Sequence, residues 1–72
     1  MRRLFFVNAS FSIVVLRRSE ENQFDYDGIL EGHSSNVCSL CYNEMKRVLV
    51  SCGRDGILLW DIDHRSLIKH IA

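Results

Sequence analysis

Short apolar runs separated by polar breaks set the pattern of this 72-residue chain. Leu4–Val7, Ile13–Leu16, Val48–Ser51 and Ile57–Ile62 are rich in β-branched and large apolar residues and too short for amphipathic helices, so they predict strands. Asn8–Ser12 breaks the first pair. Gly53, Asp55 and Gly56 break the second, which predicts two chain reversals. Ile57-Leu58-Leu59-Trp60 runs without alternation, and a strand apolar on both faces has to be covered on both. Phe24–Leu30 does alternate, with Phe24 and Tyr26 expected toward a core and Asp25 and Asp27 away from it. Arg17–Asn22 and Gly32–Asn36 read as loops, and Ser66–Ile71 as a last short strand. Two readings stay open over 37–50. Val37, Leu40, Cys41, Met45, Val48 and Leu49 sit near helical spacing, but two strands broken at Asn43-Glu44 fit better.

Composition narrows the picture. A chain this short forms one small domain, buries roughly 60% of its unfolded surface, and is marginal without a disulfide, metal or partner. An apolar content of 47% is globular. Nine basic and nine acidic residues cancel, so no bulk attraction to nucleic acid is expected. Three cysteines make no secreted disulfide framework, and a reducing cytoplasm is the expected compartment. Met1-Arg2-Arg3 ahead of Leu4–Leu16 has the outline of a leader. A small secreted or membrane-anchored protein using residues 1–16 that way is therefore one alternative. Against it, Asn8, Ser10 and Ser12 interrupt the run, which is too short to span a bilayer. Asn8-Ala9-Ser10 is a glycosylation acceptor only in a secreted chain.

An internal repeat changes the picture more. Arg3 falls opposite Arg47, Ile13 opposite Ile57, and Val14-Val15-Leu16 opposite Leu58-Leu59-Trp60, at an offset of about 44 residues, within the range of propeller repeats. In the second copy, Leu30-Glu31-Gly32-His33, Val37-Cys38-Ser39-Leu40, Val50-Ser51-Cys52-Gly53 and Trp60-Asp61 together resemble a WD40 repeat. The resemblance divides the chain into 1–29, a degenerate partial repeat with Leu16 or Arg17 at the Trp position, and 30–72, a repeat plus the start of the next outer strand. Within that family, Ser51–Gly56 and Lys46–Leu49 resemble the endosomal adaptors that join WD repeats to a FYVE domain, although the FYVE zinc-finger cysteines are missing here.

The resemblance implies a buried hydrogen-bond line through His33, Ser51, Asp55 and Trp60. An indole N–H and an imidazole held between sheets need partners, and a hydroxyl and a carboxylate supply them. The chain has one residue fewer between Asp55 and Trp60 than the family usually has. A one-residue slip turns a strand's side chains to the other face, so the turn must be shortened if both are to stay in line. The family's partner-reading surface carries over to Asn36, Cys38 and Arg54, with Arg54 first as a rim anchor.

Other constellations have plainer readings. Ser51, His33 and Asp55 are the residue types of a hydrolase triad. No nucleophile elbow or Gly-rich oxyanion loop surrounds Ser51, so a structural line and no catalytic residue are expected. Cys38 and Cys41 would diverge on a strand, so they and Cys52 read as small buried hydrophobes, with no metal and no cofactor. Arg17-Arg18 loosely resembles the paired arginines of phosphoinositide-binding propellers, which makes such a fragment a second alternative. Ser19 replaces the glycine those proteins carry and Glu20-Glu21 oppose the charge, so a solvated loop is expected.

The expected fold is all-β, an antiparallel β-propeller blade with a partial neighbour and not a closed propeller. Propellers close with about four to eight blades, and repeat units bury their faces only against neighbours. An apolar face and open sheet edges should therefore be left uncovered, which predicts self-association through those edges. The function expected is a non-enzymatic protein–protein interaction scaffold or adaptor, a fragment or truncated form of a larger propeller protein. Other proteins are the expected partners, with neither nucleic acid nor membrane lipid among them.

Overall fold

A computed structural model describes residues 3–21 and 23–71. The apolar runs form strands in chain order: β1 (Arg3–Val7), β2 (Ile13–Arg18), β3 (Phe24–Leu30), β4 (Val37–Asn43), β5 (Val48–Gly53), β6 (Gly56–Asp61) and β7 (Ser66–Ile71). They make two antiparallel meanders, a three-stranded sheet β1-β2-β3 and a four-stranded sheet β4-β5-β6-β7. The chain is all-β and neither sheet closes on itself, as a propeller-blade fragment requires. The two strands over 37–50 replace the helical alternative. Outer dimensions of 39 × 26 × 17 Å suit two sheets stacked face to face, with a spacing of about 10 Å between them.

The core lies between the sheets. Ile13, Val15 and Leu30 from the first meet Leu49, Leu58, Trp60 and Ile62 from the second, with Phe5, Val7, Leu40 and Tyr42 packed around them. Cross-strand pairing explains which side chains reach it. Phe5 pairs with Val15 and Val7 with Ile13, so all point one way. Leu49 pairs with Trp60 and Ser51 with Leu58 in the same manner. The other half of each alternation turns outward, and Leu4, Phe6, Ile29, Ile57 and Ile71 stay exposed. Ile57 therefore lacks the second cover that its apolar run called for.

Turns match their residues. Asn8 closes the β1–β2 loop by accepting the Ser10 and Ser12 amides on its side-chain oxygen, at 2.9 and 3.1 Å. Asn43 does the same for Lys46 N–H at 3.1 Å, and Arg47 completes that turn with φ 55°. Between β5 and β6 only Arg54 and Asp55 remain outside the ladder, with Gly53 paired to Gly56. Gly56 takes φ 121°, a backbone conformation open to glycine and strained for any residue with a Cβ.

Three expectations are corrected. Phe24 and Tyr26 are exposed, and it is the Asp27 side chain that turns inward. The cause is a register shift between Val15 and Leu16, which leaves Asp27 as the extra residue and reverses the phase of the strand before it. The cysteines are not buried: Cys38 and Cys41 are exposed and Cys52 is half-buried. Leu40 and Tyr42 take the inward positions of β4, so Cys41 between them turns outward, and Cys38 lies at the register shift between Val37 and Ser39. Arg17 and Arg18 belong to β2 rather than to a loop. Asn22, the last residue of that expected loop, lies outside the described residues, as do Met1 and Arg2 of the leader reading.

Candidate functional site

At one end of the four-stranded sheet, the loop before β4 folds over the β5–β6 turn. His33 sits in that loop with its ring fully enclosed. Its Nδ1 lies 2.9 Å from Asp55 Oδ1 and its Nε2 lies 2.6 Å from Ser51 Oγ. Ser51 is completely buried on β5, and Trp60 Nε1–H donates to its oxygen from β6 at 2.8 Å. Asp55 Oδ2 accepts the Ser34 amide at 2.7 Å. One tautomer satisfies the whole line. A carboxylate only accepts, so His33 Nδ1 carries the proton; Nε2 then accepts from Ser51, whose oxygen accepts from Trp60. The Leu58 carbonyl oxygen, 3.4 Å from Ser51, is the more distant acceptor.

The shortened turn keeps Asp55 and Trp60 in this line. With two residues between paired Gly53 and Gly56, Asp55 reaches back to His33 while Trp60 stays on the inner face opposite Leu49. The bond from His33, and then the Ser34 amide, hold the Asp55 carboxyl well below the usual carboxylate range. Gly32 lets the loop lie flat on the indole. A Cβ there would stand 2.7 Å from Trp60 Cη2. The Asp of Trp-Asp has its own task. Asp61 accepts from His64, at 3.3 Å from its backbone N and 2.9 Å from Nδ1, fixing the β6–β7 turn, and its carboxyl is lowered chiefly by the His64 ring.

Ser51, His33 and Asp55 thus have the connectivity of a hydrolase triad in the interior of a blade. Ser51 Oγ has no exposure and is occupied by an indole N–H, which leaves no approach for a substrate carbonyl. Asn36, Cys38 and Arg54 gather at the same end and are all exposed. Arg54 N–H donates to the Asn36 carbonyl at 3.3 Å, tying the turn to the loop, and Cys38 sits at the register shift between Val37 and Ser39. Among the described residues no group of histidine, cysteine and carboxylate side chains is placed to hold a metal ion. Arg17 and Arg18 are neighbours on β2, so strand alternation sends them to opposite faces, and Asp25 stands opposite Arg17. No helix among the described residues is long and apolar enough to cross a membrane.

Sequence reasoning missed a second cluster, at the opposite end of β5 and β6. Arg3 on β1 reaches Asp27 on β3 at 3.4 Å, the Tyr42 hydroxyl on β4 at 3.3 Å and Asp63 at 3.9 Å. Arg47 also pairs with Asp63, at 3.2 Å, and Arg65 with Asp27, at 3.7 Å. Burial alone would weaken the Arg3 charge, but Tyr42 and Asp27 more than offset it and the guanidinium pKa is raised. The cluster brackets the two sheets together. Only the pairing of Arg3 with Arg47 in the repeat hinted at it.

Over 70 aligned residues, 88% of this chain, the sequence is 37% identical to a mouse (Mus musculus) protein named WD repeat and FYVE domain-containing protein 1. The chain spans 15% of that protein's length. No family model and no solved structure matches it. Taken with a four-stranded antiparallel sheet whose Gly-His and Trp-Asp segments meet through one hydrogen-bond line, this similarity supports placing the chain in the WD-repeat family.

Proposed function

We propose that the chain is a non-enzymatic protein–protein interaction module: a WD40 blade (30–72) with a partial neighbour (1–29), part of a larger propeller scaffold in the cytoplasm. One observation carries the reading. The polar side chains that could do chemistry, His33 and Ser51, are consumed in an internal line, while Asn36, Cys38 and Arg54 stand exposed directly above it. The line holds the loop and the turn in place, and the exposed residues present a rigid rim to a partner. The likeness to a protein named for its WD repeat and FYVE domain supports an adaptor role, and we extend it to endosomal trafficking.

The test compares wild type with Arg54→Ala/Asn36→Ala by affinity capture from extract of the source cells. Both residues are exposed, so folding should change by no more than about 0.5 kcal/mol. Proteins captured by wild type and lost by the variant are expected, and identical captures would sink the rim assignment. Reaction of Ser51 with a serine-directed fluorophosphonate would sink the non-enzymatic part.

A further inference from the structure

All three cysteines lie in the four-stranded sheet, Cys38 and Cys41 on β4 and Cys52 on β5, and all are free thiols. Ser51 is buried in the core, so its neighbour Cys52 turns to the outer face. On β4, Leu40 packs inward, which puts Ser39 and Cys41 on that same outer face. Cys38 is the extra residue of a bulge. Val37 stands opposite Gly53 and Ser39 opposite Cys52, and Cys38 falls between them, exposed. Of the two residues it meets across the bulge, Gly53 has no side chain and Cys52 offers a sulfur.

Spacing separates this pair from the other two. Residues opposed across antiparallel strands have Cα atoms about 4.5–5.5 Å apart, inside the window of about 4.4–6.8 Å that a disulfide needs. Cys41 lies diagonal to Cys52, beyond Ser39, at about 7–8 Å. Cys38 and Cys41 follow each other along β4 at about 10 Å. Neither of those distances closes without backbone movement. The Arg54 N–H bond to the Asn36 carbonyl, 3.3 Å, ties the strands together on the far side of the bulge and holds Cys38 beside Cys52.

We propose that Cys38 and Cys52 are a reversible dithiol–disulfide pair, a redox modification site whose oxidant is a low-molecular-weight disulfide such as oxidised glutathione. Cys38, the more exposed, attacks first as its thiolate. Its sulfur bonds to one sulfur of the glutathione disulfide, that S–S bond breaks, and one glutathione leaves as a thiolate. The Cys52 thiolate then attacks the Cys38 sulfur, forming the Cys38–Cys52 bond and expelling the second glutathione. Two electrons pass from the protein to the oxidant, and the two thiol protons end on the two glutathiones. Excess reduced glutathione runs the sequence backwards. Cys41 has no thiol in reach and stops at the mixed disulfide. Cys38 is also a residue of the exposed rim, so closing the bond withdraws its thiol from that rim, but the pair itself does not depend on the rim's function.

The test equilibrates the folded chain in glutathione redox buffers, traps free thiols by alkylation, and maps tryptic peptides by mass spectrometry without reduction. Trypsin leaves Cys38 and Cys41 together on Ser19–Lys46 and Cys52 on Val48–Arg54. These two peptides should be found linked in wild type and in Cys41→Ser. Cys38→Ser and Cys52→Ser should give glutathione adducts without the link. In urea, where strand register is lost, the product should shift toward Cys38–Cys41, which closes the shortest loop. A bond within Ser19–Lys46 in the folded chain overturns the proposal, as does a link that survives Cys38→Ser. So do a folded-state product mixture identical to that in urea, and folded wild type that yields glutathione adducts alone.

Discussion

Ser51→Ala is the sharpest perturbation the line offers. The hydroxyl serves two buried partners, accepting from Trp60 Nε1 at 2.8 Å and lying 2.6 Å from His33 Nε2. Removing it leaves an indole donor and an imidazole acceptor without partners where water cannot reach. Each unmet group costs about 1–3 kcal/mol, so a loss of about 2–6 kcal/mol is expected. That is a large share of the total for a domain of this size. Urea unfolding followed by far-ultraviolet circular dichroism measures it, at one fixed protein concentration because association would add to the apparent stability. Trp60→Phe isolates the mechanism, since it removes the N–H and keeps an aromatic ring. In that background Ser51→Ala should cost about 1–3 kcal/mol less than in wild type, because one of the two stranded groups is already gone. Costs that add to within about 0.5 kcal/mol would refute the shared hydrogen bond. A cost for Ser51→Ala alone below about 1 kcal/mol would refute the burial of both partners.

Two further outcomes follow from the same end of the sheet. Gly32→Ala puts a methyl group 2.7 Å from Trp60 Cη2 and should destabilise by about 1–3 kcal/mol, with Trp60 near-ultraviolet dichroism altered; an unchanged midpoint in urea would mean that the loop does not lie on the indole. Asp55 has a folded-state pKa below its unfolded value, so its contribution is complete above the ordinary carboxylate pKa of about 3.9 and fades as the pH falls toward the lower folded value. Unfolding midpoints should therefore drop on acidification below about pH 4, and Asp55→Asn should flatten that drop; parallel curves for the two proteins would remove Asp55 from the line.

Strand positions were legible because the apolar runs are short, β-branched and bounded by turn residues. Leu4–Val7 and Ile57–Trp60 leave little choice of element. The end of the blade was legible through Gly32-His33 and Trp60-Asp61, whose spacing brings a loop and a strand together. What escaped depends on facts beyond local pattern. The extra residue at Asp27 reverses the phase of Phe24 and Tyr26, and nothing in the alternation of β3 marks where its partner slips. Cys38 and Cys41 look like core residues until Leu40 and Tyr42 claim the inner face of β4 and the register shift at Cys38 is seen. The Arg3 bracket joins residues on β1, β3, β4 and the β6–β7 turn, so it exists only once the sheets have stacked.

The hydrogen-bond line also implies an order of assembly. Its bonds span 9 residues from Ser51 to Trp60, 18 from His33 to Ser51 and 22 from His33 to Asp55. Chain closure costs more entropy as the loop lengthens, and the two-residue β5–β6 turn makes the first of these contacts by far the most local. The hairpin therefore sets the indole against the hydroxyl first, and His33 arrives afterwards as a latch across the finished turn. A latch can open without the hairpin coming apart. Amide hydrogen exchange should accordingly be faster at Ser34, whose N–H is held by Asp55 alone, than at the paired amides of β5 and β6. Equal protection at both would mean that loop and hairpin open together. On this ordering the rim above the line is shaped by the last and most easily released contact in the blade, so a partner that grips Asn36 and Arg54 also closes the latch beneath them.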